Sequence, residues 1–287
     1  MKRRTQVEIP YGEGTTQCAV PSASLEGIYV PHKVSPVQDE GEEIRRALAH
    51  PIEAPPLQKM ARGAERVVIV ADDNTRLTPT HIIVPLLLNA LNEAGVPDEA
   101  VKVLIALGTH RKMTEEEIRK KFGPETVKRV SVINHDCSDK EMLVDLGTTP
   151  GGVSVQVNRR VMEADFILGV GSIVPHHIAG FSGGAKIIQP GVCGECTTGE
   201  VHLLAVRRPA SLLGRIENEV RREMEAIAER AGLRAILNTV LDSEGHLVRA
   251  VYGAPRAAFR RGVETSRRVY SVSMPRVTDI VIASSHP

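Results

Sequence analysis

Along the middle of the chain, short aliphatic runs alternate with polar loops and with longer stretches of helical spacing, the rhythm of an α/β fold. Residues 66–71 read RVVIVA, a strongly β-branched run suited to a strand buried on both faces. Apolar residues then recur at helical spacing over 80–94, and Gly95 is placed to stop that helix in a left-handed conformation. Residues 101–107 (VKVLIAL) predict the next strand, and Thr114 with Glu117 forms a capping-box pattern that predicts a helix ending near Gly123-Pro124. Further strands are predicted over 130–134, 153–157 and 165–171. Helices are predicted over 197–207 and 213–231, the charged outer face of the second reading as solvent contact. Residues 234–241 and 246–252 predict a hairpin turning at 242–245, and 254–270 a basic helix whose charges read as a solvated face. A last buried-strand pattern covers 277–284. The fold class expected is therefore α/β, a mainly parallel sheet flanked by helices. Residues 1–270 would form one domain, and 271–287 a linker with the opening strand of a second α/β domain.

A chain of 287 residues can bury two ordinary cores or one large α/β core, which excludes a peptide hormone or a disulfide miniprotein. Lys plus Arg number 36 against 35 Asp plus Glu, so no global field draws the chain to nucleic acid or anionic lipid, and neither is expected as a partner. Any affinity for an anion must be local. Cys18, Cys137, Cys193 and Cys196 are too few and too irregularly spaced for a disulfide framework, and no charged-then-apolar leader is visible; a reducing cytoplasm is the expected compartment. The apolar stretch 166–174 falls far short of the ~20 residues a bilayer requires. Aromatic residues at 3% with no Trp argue against base-stacking platforms.

In open α/β sheets ligands sit outside the carboxyl ends of the strands, so the loops 72–76, 108–111 and 175–186 are expected to converge on one crevice. The third loop gathers His176, His177, several glycines and Lys186. Ser182-Gly183-Gly184 offers backbone N–H groups to a phosphate if a helix begins near Lys186, although a tight surface turn is the plainer reading of the glycines alone. It is not a Walker A loop, because Ala185 precedes the lysine and Ile187 follows it. Arg76, past the first strand, presents a planar fork to a carboxylate or phosphate, or merely pairs with Asp73 to cap the next helix. His110 stands at a strand end and suits proton exchange, though lone histidines more often pack or face solvent. Cys193 and Cys196 with His202 invite a zinc or redox reading, but one C-x-x-C supplies two ligands where a closed zinc site wants four.

Tyr11-Gly12, the DNTRLTPT loop, GTHRKMTEEE, AGFSGGAK, PGVCG and the downstream His202, taken in series, resemble the lactate racemase family of nickel-pincer-nucleotide 2-hydroxyacid racemases and epimerases. The resemblance runs almost end to end. It implies a Rossmann-like N-terminal domain followed by a second α/β domain, with the active site between them. It further implies that Lys186 is tethered to the cofactor through a thioamide, with Ser182, Gly183 and Gly184 beside it. His202 would be the protein ligand of nickel, the other donors being two sulfurs and a pyridinium carbon of the cofactor. His110 and His176 would be the paired proton-transfer residues, the ten-residue interval to Lys186 favouring His176 over His177. Arg76 would hold the substrate carboxylate, and Asp73 would support the cofactor or Arg76. The expected partners are a small 2-hydroxy acid and the proteins that build the cofactor; the oligomeric state stays open. The alternatives are a non-catalytic module that binds or stores the cofactor and a zinc or redox protein built on Cys193, Cys196 and His202.

The chemistry suits these residue types. The Cα–H of a 2-hydroxycarboxylate is poorly acidic because the adjacent charge opposes a carbanion. Its departure as hydride, while a histidine takes the hydroxyl proton, avoids that carbanion and gives a planar 2-keto acid.

Overall fold

The computed structural model describes residues 3–12, 14–207, 211–274 and 277–283. An antiparallel pair, β1 (Arg4–Tyr11) and β2 (Gly14–Pro21), is followed by α1 (Glu40–Ala49) and the single turn α2 (Leu57–Met60). Then come β3 (Val67–Asp72), α3 (Thr80–Glu93), β4 (Val101–Ala106), α4 (Glu115–Arg129) and β5 (Ser131–Asn134), two consecutive βαβ crossovers. Outside the main sheet, β6 (Leu143–Thr148) and β7 (Ser154–Asn158) pair with each other, and α5 (Arg159–Met162) leads into β8 (Phe166–Ser172). The loop beyond β8 contains the two-residue strands β9 (Pro175–His176) and β10 (Gly180–Phe181). The helices α6 (Glu195–Val206) and α7 (Glu219–Arg230) precede the hairpin β11 (Leu233–Leu241) and β12 (Leu247–Gly253), and α8 (Pro255–Tyr270) packs back across it.

The main sheet has six strands in the order β12-β11-β8-β3-β4-β5. All neighbours are parallel except the antiparallel edge pair β11 and β12. Every residue of β3 and of β8 is buried, because helices cover both faces of the sheet. On one side Val67, Ile69 and Ala71 join Ile44 of α1 and Leu87 of α3; on the other Val68 joins Met224 of α7 and Phe259 of α8. From β3 the chain moves to β4 on one side and later returns to β8 on the other. The strand order thus reverses at β3, the position where such sheets open a crevice at their carboxyl ends.

Several expectations need correction. The helix opened by the Thr114 and Glu117 capping box does not end at Gly123-Pro124 but resumes and reaches Arg129. Gly123, at φ 79°, breaks the helix locally without ending it. The strand expected over 153–157 is β7, Ser154–Asn158, which pairs with β6 outside the main sheet. The helix expected over 213–231 starts only at Glu219, where the Asn218 side chain accepts the Arg221 N–H at 2.7 Å; Gly214 upstream has φ 73°. Nor is its charged face wholly solvated, since Arg221 is fully buried. Residues 277–283 form no strand, and Val277, Ile280, Val281 and Ile282 are exposed because no neighbouring strand among the described residues pairs with them. Pro275, within the expected linker, and position 284 lie outside the described residues. No helix among the described residues is long and apolar enough to cross a membrane.

Candidate functional site

The loops that leave β3, β4 and β8, together with α6, enclose one cleft at the carboxyl end of the sheet. Asp73, Arg76, His110, His176, Ser182, Gly183, Lys186 and His202 all line it. Gly184 does not. Its amide donates to Asn238 Oδ1 at 2.8 Å, and a Cβ on it would stand 2.9 Å from the Phe259 ring. The Ser182 N–H likewise donates to the Val174 carbonyl at 2.8 Å. Two of the three amides of the Ser182-Gly183-Gly184 run are therefore committed to the protein, and the helix expected near Lys186 is a 3₁₀ turn of four residues, 184–187. The phosphate-cradle reading fails on this geometry. These glycines allow tight packing instead.

Asp73 is buried beside the rim of the cleft. Its Oδ2 lies 2.6 Å from His110 Nδ1, while Oδ1 accepts the Thr75 backbone N–H at 3.0 Å and the Thr75 hydroxyl at 2.5 Å. Burial favours the protonated carboxyl, but the hydrogen bonds from Thr75 and His110 outweigh it and hold Asp73 below the usual carboxylate range. The Asp73 side chain supports His110 rather than the Arg76 side chain; it meets Arg76 through the backbone, Arg76 N–H to the Asp73 carbonyl at 3.2 Å. The arginine's loop is held from outside the cleft. Lys121 of α4 donates to the carbonyls of Arg76 at 2.5 Å and Thr78 at 3.0 Å, and its ammonium lies 3.5 Å from Asp72 Oδ1. Asp72 lines the cleft as well; burial raises its pKa against the pull of Lys121 and Thr78.

His176 accepts hydrogen bonds at Nδ1 from the amides of Ile178, at 3.1 Å, and Ala179, at 3.4 Å, and its ring stacks on His177 at 4.9 Å. Burial and then the charges of Lys186, His177, Arg76 and Arg221 push it down to about 3, so the ring is neutral at physiological pH. Burial, reinforced by Arg76 and Arg221, lowers Lys186 to about 8. Lysine in that range is partly a free amine near neutrality. His202 is lowered by burial and by Lys186 and His177, which favours the neutral ring a metal binds.

Two supporting residues escape the sequence reading. Arg221 of α7 donates to the carbonyls of Ala179 at 3.3 Å, Gly183 at 3.0 Å and Phe181, and its guanidinium stacks 4.3 Å over the Phe259 ring. It braces the segment between His176 and Lys186. The apolar residues Met224 and Ala228, three and seven positions on, share its helix face and could have signalled its burial. Lys121 carries no comparable signal, since its partners are backbone carbonyls distant in sequence.

The cysteines form no metal centre. Cys193 is buried, its thiol donating to the Ile188 carbonyl at 3.3 Å and pushed up by burial, whereas Cys196 is exposed beside Glu200 at 3.7 Å. Among the described residues no three His, Cys, Asp or Glu side chains are grouped to hold a metal ion.

The model of the lactate racemase N-terminal domain matches residues 11–214. A lactate racemase from Thermoanaerobacterium thermosaccharolyticum is 35% identical over 283 residues, an alignment covering 97% of this chain and 66% of that protein. One from Lactiplantibacillus plantarum is 30% identical over 270 residues, covering 93% and 63%. Among solved structures, the lactate racemase apoprotein from Thermoanaerobacterium thermosaccharolyticum superposes with a TM-score of 0.82 at 34% identity, covering 92% of this chain and 63% of that one. A protein from Thermotoga maritima superposes with a TM-score of 0.66 at 27% identity, covering 84% and 61%. The chain spans about two thirds of the length of the curated relatives it matches.

Proposed function

Since the chain belongs to the lactate racemase family, we propose that it is the cofactor-holding part of an isomerase that racemises or epimerises a small 2-hydroxy acid. One observation carries this reading: His110, His176, Lys186, His202 and Arg76, drawn from three loops and a helix, line a single cleft. The cofactor we assign is a nickel-pincer nucleotide, and the residues present fit it. Lys186 supplies an amine lowered to about 8, suited to a covalent tether, and His202 a neutral imidazole, suited to a metal. The lack of any larger donor cluster among the described residues agrees with a metal whose other ligands come from the cofactor. Bound there, the group would supply a pyridinium carbon that accepts hydride from Cα and returns it.

The chain's own residues would do the rest. Arg76 would hold the substrate carboxylate through its planar fork, in a loop pinned by Lys121. His110 and His176 would handle the hydroxyl proton from the cleft walls. Four free thiols suit a reducing compartment, so we place the protein in the cytoplasm, loaded by the proteins that build the cofactor.

The test is to make the chain alongside the cofactor's biosynthetic proteins, map the mass of the Lys186 peptide, and follow interconversion of lactate enantiomers. Added mass on Lys186 with turnover supports the proposal. Turnover with an unmodified Lys186 overturns the tether, and a loaded Lys186 with no turnover on any 2-hydroxy acid would leave the storage role.

A further inference from the structure

We propose that Glu117 of α4, outside the cleft, is a positioning residue: its carboxylate ties the loop that carries Asp73 to the loop that carries His110, and so keeps His110 aligned for the proton transfer assigned to it above. The effect on turnover rests on the racemase reading and extends it to a residue beyond the cleft wall.

The Glu117 carboxylate gathers four hydrogen bonds from three places. Its Oε1 accepts from Arg111 Nη2 at 2.6 Å and from Asn74 Nδ2 at 3.2 Å. Its Oε2 accepts from Arg111 Nη1 and from the Thr114 backbone N–H, each at 2.8 Å. Asn74 directly follows Asp73, and Arg111 directly follows His110. The carboxylate therefore makes a second bridge between the two loops, alongside the 2.6 Å contact of Asp73 with His110. Asn74, Arg111 and Glu117 do not line the cleft, so whatever they do for a reaction there passes through their neighbours.

An exposed ion pair on its own would fix little. Here the carboxylate stands on a rigid post. The Glu117 N–H donates to Thr114 Oγ1 at 3.2 Å, completing the capping box, and the first turn of a helix favours a negative charge. Asn134 pins that end of the helix to the end of β5, accepting the Met113 N–H at 3.0 Å and donating to the Met113 carbonyl at 2.9 Å. Arg111 meets both carboxylate oxygens with two guanidinium nitrogens, a geometry that fixes orientation as well as distance. The Arg111 fork, followed by the Thr114 amide, holds the Glu117 carboxyl down at about 2, so the bridge stays charged across the neutral range. Lys121, one turn further along α4, serves the carbonyls of Arg76 and Thr78 instead. Losing Glu117 thus frees the His110 loop while Arg76 stays held, and the loss should fall on kcat rather than on KM.

In cofactor-loaded protein, Glu117→Gln keeps the size of the side chain but gives up its charge and one acceptor. It should lose ~10- to 10²-fold in kcat for lactate interconversion, with KM within about twofold of wild type. Arg111→Gln should lose a similar factor, and the double variant little more than either single one, because both cut the same link. An unchanged kcat in Glu117→Gln, or losses that multiply in the double variant, would overturn the proposal. Hydrogen exchange on the cofactor-free chain gives a readout independent of turnover. Exchange in Glu117→Gln should quicken at His110, whose N–H donates to the Leu107 carbonyl at 2.9 Å, and not at Arg76. Thr114→Ala removes the hydroxyl cap of the same helix without touching either loop, so it should leave both His110 exchange and kcat as in the wild type. Unaltered His110 exchange in Glu117→Gln, or a matching kcat loss in Thr114→Ala, would reduce Glu117 to a helix cap and refute the bridge. The racemase reading fails separately, if the loaded wild-type chain interconverts no 2-hydroxy acid, and the exchange measurement still decides the bridge in that case.

Discussion

Asp73 Oδ2 and His110 Nδ1 lie 2.6 Å apart, with the carboxylate 3% exposed and the imidazole 51% exposed. A buried anion thus backs a ring whose far edge reaches the cleft, the arrangement that fixes a histidine's tautomer and orientation. Replacing Asp73 with Asn keeps the shape but removes the charge. We expect Asp73→Asn to lower kcat for lactate interconversion by ~10²-fold or more while KM changes by only a few fold. Steady-state kinetics on loaded protein check this. A raised KM with kcat intact would instead place Asp73 behind Arg76.

The lowered Lys186 amine gives a second expectation. In competitive labelling with a small amine reagent, followed by peptide mapping, Lys186 of the cofactor-free chain should titrate with a midpoint near 8. A midpoint near 10.5, the ordinary lysine value, would show that the amine is not desolvated. Stability follows the same shift. The unfolded state binds more protons than the folded state between about 8 and 10.5, so stability rises with pH across that window. Lys186→Met should therefore stabilise the chain at pH 7, by on the order of 3 kcal/mol at most, with the gain fading toward pH 10.5. Urea titrations at pH 7 and pH 10 would measure it.

Arg221 should be costly to remove. Arg221→Ala strips donors from the carbonyls of Ala179, Phe181 and Gly183 and leaves a void against Phe259. A loss of about 3–5 kcal/mol is expected from breaking a buried charged network, with faster amide exchange concentrated between His176 and Lys186. Denaturant melts and hydrogen exchange test both parts. Uniform acceleration across the sheet would argue against a local brace.

Thiol chemistry separates the two cysteines of the C-x-x-C. Iodoacetamide at pH 8 should modify exposed Cys196 and spare buried Cys193 in the native chain. Metal analysis should find no stoichiometric zinc in the wild type. Zinc that is bound and then lost in Cys193→Ala would revive the metal site the geometry denies.

Much of this architecture is legible in sequence for definite reasons. The β-branched run of β3 and the aliphatic run of β8 can only be strands covered on both faces, and the loops behind them converge because parallel strands all end on the same side of a sheet. Glycine is less informative. A run such as Ser182-Gly183-Gly184 reads the same whether its amides await a phosphate or its backbone lies tight against neighbours, and here a Cβ on Gly183 would come within 2.6 Å of Ile173. Charge misleads as well, since an arginine in a salt-rich helix looks solvated until the carbonyls it serves are placed. The exposed residues 277–283 show the converse limit: an aliphatic run needs a neighbouring strand before it can join a sheet.

Lys121 stands behind the cleft wall, two residues before the bend at Gly123, where the backbone has φ 79° and a Cβ would press within 3.2 Å of His81. A small substitution at that bend could shift the lysine and, through the carbonyls it holds, alter how tightly Arg76 is aimed. If Arg76 holds the substrate as proposed, its grip would be open to tuning from an outer helix that does not line the cleft, and sequence drift there would adjust affinity while the residues of the cleft stay the same.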